Sequence, residues 1–285
     1  MTETALLQAL SRQDRRTHWE LVKRISLNFP THHPQGLAFA GDYIFLSSVE
    51  VLDPPANVFD KVLSTPGRGV GHMFVLDKEG HLVRDILIGE GDMYHPGGID
   101  FDGTNIWVPV GEYRPGANSM MLTIDPKTLA VTERFRVADS IGWTVSDAES
   151  GTIYGGNWGS RLFYSWSNKG EERDCWENPS DFIDYQDCQF AGNGLAVCSG
   201  IAVLPVPDSQ AEYELGGAAI VDFINHRIVF ETPIQVFSSG GHVVTRNPFA
   251  LTSDVSNLFL HVDPDDGFDL HGTELLTYRA PIGKG

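Results

Sequence analysis

Apolar residues in this chain seldom recur at the three- and four-residue spacing that lines one face of a helix. One such stretch, near residues 3–15, predicts a short helix. Beyond it, apolar and polar positions alternate in short runs cut by Gly, Asp, Asn and Pro, which predicts many short strands joined by tight turns. Laid under one another, the runs repeat. His33-Pro34-Gln35-Gly36-Leu37-Ala38-Phe39 matches His95-Pro96-Gly97-Gly98-Ile99-Asp100-Phe101, each a His-Pro-x-Gly start leading into a strand. In both copies a polar turn and a second strand follow, at 43–46 and 105–108. A third strand then ends in Asp77-Lys78-Glu79-Gly80 or Asp125-Pro126-Lys127-Thr128, and a fourth covers 82–88 or 131–137.

The same grammar recurs over residues 143–176, again from Asp187, and a last time from Asn247, where the final copy is one strand short. Residues 19–27 alternate in the same way and precede the first copy, so they are expected to supply the missing strand. Repeat starts near 33, 95, 142, 187 and 247 give five copies. Four-stranded units of about 40 to 60 residues in radial array make a β-propeller. The expected fold is therefore all-β, a five-bladed β-propeller over residues 19–285 with a helical extension over 1–18; six blades are the alternative. Two insertions, 51–71 and 204–217, fall between second and third strands and so on one face.

Composition narrows the partners. With 41% hydrophobic residues the chain can bury a core, and 20 Lys+Arg against 38 Asp+Glu leave a net charge of −18. Such a surface repels nucleic acid and anionic lipid, so neither is an expected partner. No run approaches the roughly 18 apolar residues of a membrane span, and the apolar run at 5–10 precedes its arginines, the wrong order for a secretory signal; a cytoplasmic location is expected. Cys175, Cys188 and Cys198 are odd in number and form no C-x-x-C pair, which predicts free thiols.

In a propeller the innermost strand of each blade starts on the face where the second-to-third-strand connection emerges. Those segments meet around one mouth of the channel. Strand starts bring His32, His33, His95, Trp143, Asp187, His242 and Asn247; second-strand ends bring Glu50, Glu112, Tyr113, Arg114, Asn157, Trp158, Arg161, His261 and Asp263. Imidazoles, carboxylates, guanidiniums and indoles together suit a small-molecule pocket with polar anchors and aromatic walls. Plainer readings stand beside these. His33 and His95, each before Pro, could set blade register; Glu112 and Arg114 could be a surface pair; Trp158 could cap the core; His72 and His81 are expected to be structural or solvated.

Residue types alone leave two channel metals open, calcium on Glu50, Asp187 and Asn157, or zinc on His33, His95 and His242. The acidic run over 263–269 has its Gly one position early for an EF-hand loop and is expected to be a solvated turn. There is no G-x-S-x-G elbow, dinucleotide fingerprint, phosphate loop or H-E-x-x-H, which disfavours the corresponding enzymes. The stretch Pro66-Gly67-Arg68-Gly69-Val70-Gly71 reads as a mobile loop and a candidate lid carrying Arg68.

Four segments carry a family likeness: residues 94–103 around His95-Pro96-Gly97-Gly98, residues 106–110, Glu112-Tyr113-Arg114-Pro115, and Asn157-Trp158-Gly159-Ser160-Arg161. Through them the chain, from about His33 onward, resembles a bacterial and fungal propeller family catalogued as a domain of unknown function. The resemblance implies the fold more firmly than an activity. Fungal relatives of that kind include secreted cyclases that promote hetero-Diels-Alder additions. More distantly the chain looks like gluconolactonase and strictosidine-synthase propellers, but where those carry a metal-binding Glu in an E-G-P motif it has His33-Pro34-Gln35-Gly36.

The expected function is transformation of a small organic molecule at the channel mouth by acid/base and hydrogen-bond catalysis, with no organic cofactor. His95 and His242 are the expected proton-transfer groups. Glu112 would orient one of them, Arg114 and Arg161 would bind or polarise an oxygen, and Trp143 and Trp158 would form the wall. His33, Glu50, Tyr113, Asn157, Asp187 and Asn247 complete the expected substrate contacts. Isomerisation and cyclisation fit these roles; a metal-dependent lactonase-type hydrolase and a non-catalytic binder are the alternatives.

Overall fold

The computed structural model describes residues 5–56, 65–268 and 272–282. Five four-stranded units, antiparallel within each blade, stand in a ring, a five-bladed β-propeller. A short helix α1 (Ala5–Ser11) and a strand β1 (Glu20–Ser26) come first. Blade one is β2 (His33–Ala40), β3 (Tyr43–Asp53), β4 (Arg68–Leu76) and β5 (Leu82–Ile88). In blade two the innermost strand is split into β6 (Met93–Pro96) and β7 (Asp100–Phe101), both paired with β8 (Ile106–Glu112), followed by β9 (Ser119–Ile124) and β10 (Val131–Val137). Blade three is β11 (Ile141–Asp147), β12 (Thr152–Asn157), β13 (Leu162–Ser167) and β14 (Glu172–Glu177). Blade four is β15 (Asp184–Gly192), β16 (Leu195–Pro205), β17 (Glu212–Asp222) and β18 (Arg227–Pro233). Blade five is β19 (Phe249–Ser253), β20 (Asn257–Val262) and β21 (Glu274–Pro281), and β1 completes it by pairing antiparallel with β21.

Burial explains the order. The middle strands β8 and β9 are buried on both faces, whereas most of the outermost strands β5, β10 and β14 is exposed, which is why Arg, Asp and Glu concentrate there. One apolar cluster fills the wedge between each pair of neighbouring blades. Phe45, Met73 and Val75 meet Ile106 and Val108 between blades one and two, and Leu27 and Leu275 meet Leu46 and Phe74 between blades five and one. The helix is part of this packing, because Leu7 and Leu10 are fully buried against blades four and five.

Strand starts repeat a local irregularity. The ladder shifts register at Pro34/Gly36 in β2, Met93/His95 in β6, Ile141/Trp143 in β11 and Tyr185/Asp187 in β15. Each shift inserts one residue, namely Gln35, Tyr94, Gly142 or Gln186, and such bulges re-aim side chains at the rim of a barrel or site. The glycines of His-Pro-x-Gly serve close approach: a Cβ on Gly97 would lie 2.0 Å from the Gly142 carbonyl oxygen, and one on Gly36 would lie 2.7 Å from the Ile99 nitrogen.

Two expectations are corrected. Pro66–Gly71 is not a loop with a lid: Arg68 opens β4, its backbone opposite Asp53, and its guanidinium pairs with Asp53 at 2.5 Å. Antiparallel pairing simply continues outward from the blade, as it does over the 204–217 insertion, where Pro205 stands opposite Glu212. Residues 57–64 of the first insertion lie outside the described residues. The three cysteines are not all free thiols either. Cys188 and Cys198 stand directly opposite in β15 and β16, Cα atoms 4.1 Å apart, and are joined by a disulfide, leaving Cys175 free and exposed. They lie ten positions apart in the chain, a distance that a tight hairpin folds into register and that a count of cysteines does not reveal. No helix among the described residues is long and apolar enough to cross a membrane.

Candidate functional site

Four inner strands begin around one mouth of the channel, and a concave cavity of about 120 Å³ lies among their starts. His33 and Gln35 line it from blade one, His95, Glu112 and Tyr113 from blade two, Asn157 and Trp158 from blade three, Tyr185 and Gln186 from blade four, and Asn247 from the approach to blade five. An apolar cavity near 150 Å³ accommodates benzene, so about one ring fits here, and the rest of a larger ligand would extend through the open mouth.

One wall is a stack of flat groups. The His95 and Tyr113 rings lie 4.2 Å apart at 26°, and Trp158 covers Tyr113 at 5.2 Å and 22°. Burial lowers the pKa of His95 to about 3, with His33 adding to the effect, so His95 is a neutral imidazole at neutral pH. It can donate or accept a hydrogen bond but holds no charge.

On the blade-one side of the cavity, His33 is backed by a carboxylate from blade five. His33 Nδ1 lies 2.5 Å from Asp266 Oδ1, and Arg246 Nη2 donates to Asp266 Oδ2 at 3.2 Å. Burial opposes ionisation of Asp266, but hydrogen bonds and charge from His33 and Arg246 outweigh it and bring the pKa down to about 2. A carboxylate can only accept, so Nδ1 of His33 carries the hydrogen and Nε2 is left for other chemistry. Tyr185 and Asn247, which border the cavity, each bury a polar atom, Oη and Nδ2, that has no hydrogen bond among the described residues. Buried donors are normally paired, and because both atoms are out of reach of solvent the side chains must turn before either meets a ligand.

The profile of a family of unknown function, DUF6454, matches residues 3–281. The chain belongs to that family. No curated protein matches this DUF6454 sequence. Among solved structures it is similar to the tail fibre of Staphylococcus aureus phage P68, at TM-score 0.54 and 8% identity over 94% of this chain and 54% of the other. It is also similar to a luciferin-regenerating enzyme, at TM-score 0.47 and 10% identity over 90% and 94% of the two chains. For Kuenenia stuttgartiensis hydrazine synthase the values are 0.43 and 11%, over 84% and 58%. The DUF6454 chain thus spans little more than half of the hydrazine synthase and tail-fibre chains. At these identities the likeness is one of fold.

Within the DUF6454 propeller the other expected site residues fall elsewhere. Trp143 is completely buried, its indole N–H bonded to Ser160 Oγ at 2.8 Å and its ring against Phe163 and Phe223; it is core, not wall. Asp187 is also completely buried at the hub of the ring. Its two oxygens accept backbone N–H groups of Leu37 and Phe249 at 2.9 and 3.0 Å and of Ile99 and Cys188 at 2.9 and 3.1 Å. One carboxyl group therefore ties together inner strands of blades one, two, four and five. Burial pushes its pKa well above the usual carboxylate range, and the N–H groups of Phe249, Leu37 and Ile99 oppose this.

Glu112 pairs with Arg114 at 2.6 Å and with Asn118 at 2.8 Å, so it orients its own hairpin and not a histidine. Burial works against its ionisation, yet Asn118 and Arg114 lower its pKa. Arg161 spends its donors on the carbonyls of Gly159, Ser180 and Ile183 and on Asp181 and Asp184, bracing the passage from blade three to blade four. Asn157 Oδ1 holds the Arg161 and Leu162 N–H groups while the residue borders the cavity. His242 does not join His95; it bonds Glu214 at 2.7 Å beside the extended β16–β17 hairpin. Glu50 is grouped with His32 and His72, not with Asp187 and Asn157, and Asp263 is buried with Oδ2 accepting from Thr273. His261 binds Thr252 and Thr277 through its two nitrogens, beside a second, apolar cavity of about 310 Å³ between blades five and one.

Sequence reasoning passed over Gln35, Gln186, Tyr185, Arg246 and Asp266. The first two are revealed only by strand register: they are the inserted residues of matching bulges, at the same offset from Gly36 and Asp187 that Gly142 has from Trp143. Asp266 had no signal, because an acidic turn reads as solvated until Arg246 and His33 are seen against it.

Proposed function

We propose that the mouth cavity binds a small, flat, unsaturated organic molecule through an oxygen atom and promotes proton transfer on it, as an isomerase or cyclase working without an organic cofactor. The observation that carries this reading is the His33–Asp266 pair at 2.5 Å on the wall of a cavity that also presents a stacked aromatic face. Asp266 fixes the imidazole tautomer, and His33 Nε2 acts as the acid or base. His95, stacked on Tyr113 and uncharged, is a hydrogen-bonding neighbour rather than the proton carrier. Tyr185 Oη and Asn247 Nδ2, buried and unpaired, would have to turn into the cavity to meet the ligand oxygen, where charge accumulates when a proton leaves an adjacent carbon. Tyr113 and Trp158 supply the face against which a planar ligand lies.

The test begins with a metabolite panel screened by ligand-observed NMR, each hit then followed for product. His33→Asn is expected to lower kcat by about 100-fold or more while ligand affinity changes little, because general acid–base catalysis contributes typically 10²–10⁴-fold. Asp266→Asn should act in the same direction, and Trp158→Ala should weaken binding first. Unchanged turnover in His33→Asn would overturn the acid/base role. Binding without any product, for every hit, would make the propeller a ligand-binding protein.

A further inference from the structure

His32 and His33 are consecutive, and while His33 borders the mouth cavity, His32 belongs to a different group. It immediately precedes β2, its backbone N–H and C=O both bonded to Gly267 at 2.7 Å, and its φ of 57° is in the left-handed region. Its ring lies 5.0 Å from that of His72 on β4. Glu50 on β3 completes the cluster, and among the described residues these three are the group of His, Cys, Asp or Glu side chains whose ligand atoms all lie within 4.8 Å of one another.

The decisive atom is His72 Nε2. His72 is 6% exposed, and its Nδ1 faces both oxygens of Asp85 at 2.9 and 3.1 Å. Because the carboxylate accepts, Nδ1 carries the hydrogen, and the buried Nε2 presents a lone pair. That lone pair has no hydrogen-bond partner among the described residues. What faces it is another acceptor, Glu50 Oε2, at 3.9 Å. Two acceptors turned towards each other, one of them buried, are held by a proton or by a metal ion between them, and the third ligand within reach, His32, favours the ion. Ligands about 2.0–2.1 Å from a zinc ion in a tetrahedron stand roughly 3.3 Å apart, and because the His32 and His72 rings are stacked at 21°, the His32 ring has to turn to bring its lone pair to the ion.

We propose that His32, Glu50 and His72 bind one divalent first-row transition-metal ion, zinc being the best match to the donor set. Two imidazoles and one carboxylate suit zinc and its neighbours, whereas calcium and magnesium require oxygen ligands. Asp85 is the carboxylate that orients a ligating histidine and fixes its tautomer. Glu50 is partly exposed, which gives the ion a way in and leaves room for water as a fourth ligand. The ion would join the link leading from β1 into blade one to the second and third strands of that blade.

The test uses the full chain, stripped with chelator and titrated with cobalt(II) and zinc(II). One equivalent of cobalt is expected, with the visible absorption of a four-coordinate ion, and added zinc should displace it and raise the melting temperature. Glu50→Gln, at a partly exposed position that need not disturb folding, should weaken binding at least 10-fold and lose the thermal shift. Asp85→Asn should weaken it about 10- to 100-fold, as loss of such an orienting partner does. His72→Ala should abolish it, while His81→Asn and His242→Asn should leave it intact. No stoichiometric cobalt uptake, or uptake that survives Glu50→Gln and His72→Ala, overturns the assignment.

Discussion

Asp187 and Asp266 are both sheltered carboxyl groups, and what surrounds each decides what it does. Asp187 meets four backbone donors and no cation; it is a fastening at the hub, and its pKa is pushed up by burial. Asp266 meets His33 and Arg246, is held ionised with a pKa of about 2, and stands behind the His33 that lines the cavity. His95 provides a pH test at the same scale. Its pKa is about 3 when folded and near 6.5 when unfolded, so below 6.5 the unfolded chain binds more protons and stability decreases as the pH is lowered. Its contribution is whole above pH 6.5 and drains away as pH drops towards 3. Asp100, with a pKa raised to about 7 chiefly by burial, acts in the opposite sense between pH 4 and 7, so the comparison must be made variant by variant. In urea melts from pH 7 to pH 4, the stability difference between wild type and His95→Phe should shrink by up to about 1.4 kcal/mol per pH unit below 6.5. A constant difference would mean that His95 protonates freely. Sequence alone placed His33, His95, Tyr113, Trp158 and Asn247 near one mouth because their offsets within the repeat are readable. It misplaced Trp143 and Asp187, since a one-residue bulge at the strand start turns the next side chain inward, and bulges leave no mark in the hydrophobic alternation.

Strands were more legible than the details within them. Alternation and turn residues located nearly every strand, whereas the outward continuation of β3–β4 and β16–β17 was hidden by glycine, proline and charge, which read as loop. The Cys188–Cys198 bond is the other feature that only strand register reveals. It closes a loop of about ten residues, for which a chain-entropy treatment gives a stabilisation of about 2–3 kcal/mol. A purified sample denatured without reductant should titrate one thiol per chain, that of Cys175, and three after reduction. Replacing both bonded cysteines by alanine should lower stability by that amount. Three titratable thiols before reduction would show that the bond does not form under the conditions of expression, because disulfides persist where the surroundings are oxidising.

At the scale of the whole molecule the ring is one cooperative object, since each blade buries its faces only against its neighbours. Its closure depends on β1, which supplies the outer strand of blade five, and on α1, which covers the wedge between blades four and five. A variant lacking residues 1–27 should lose cooperative unfolding or associate through the bared edge of β21, a loss comparable to the whole 5–15 kcal/mol stability of a typical domain. Moving the same residues behind residue 282 through a short linker should restore a monomer with a sharp melt. Equal melting temperatures for the truncated and intact chains would show that closure contributes nothing.

The pairing of Glu20 with Arg279 also sets a schedule. A ribosome adding about 5–20 residues per second makes β1 first and needs roughly 13–50 s more to supply the partner 259 positions later. Through that interval the nascent chain carries the segment of β1 without the strand that claims its backbone donors and acceptors. Glu20, Lys23 and Arg24 give that strand charge of both signs, which discourages pairing with a neighbouring polypeptide on the same message. Every copy of the protein must therefore keep its first strand in reserve until its last blade is made.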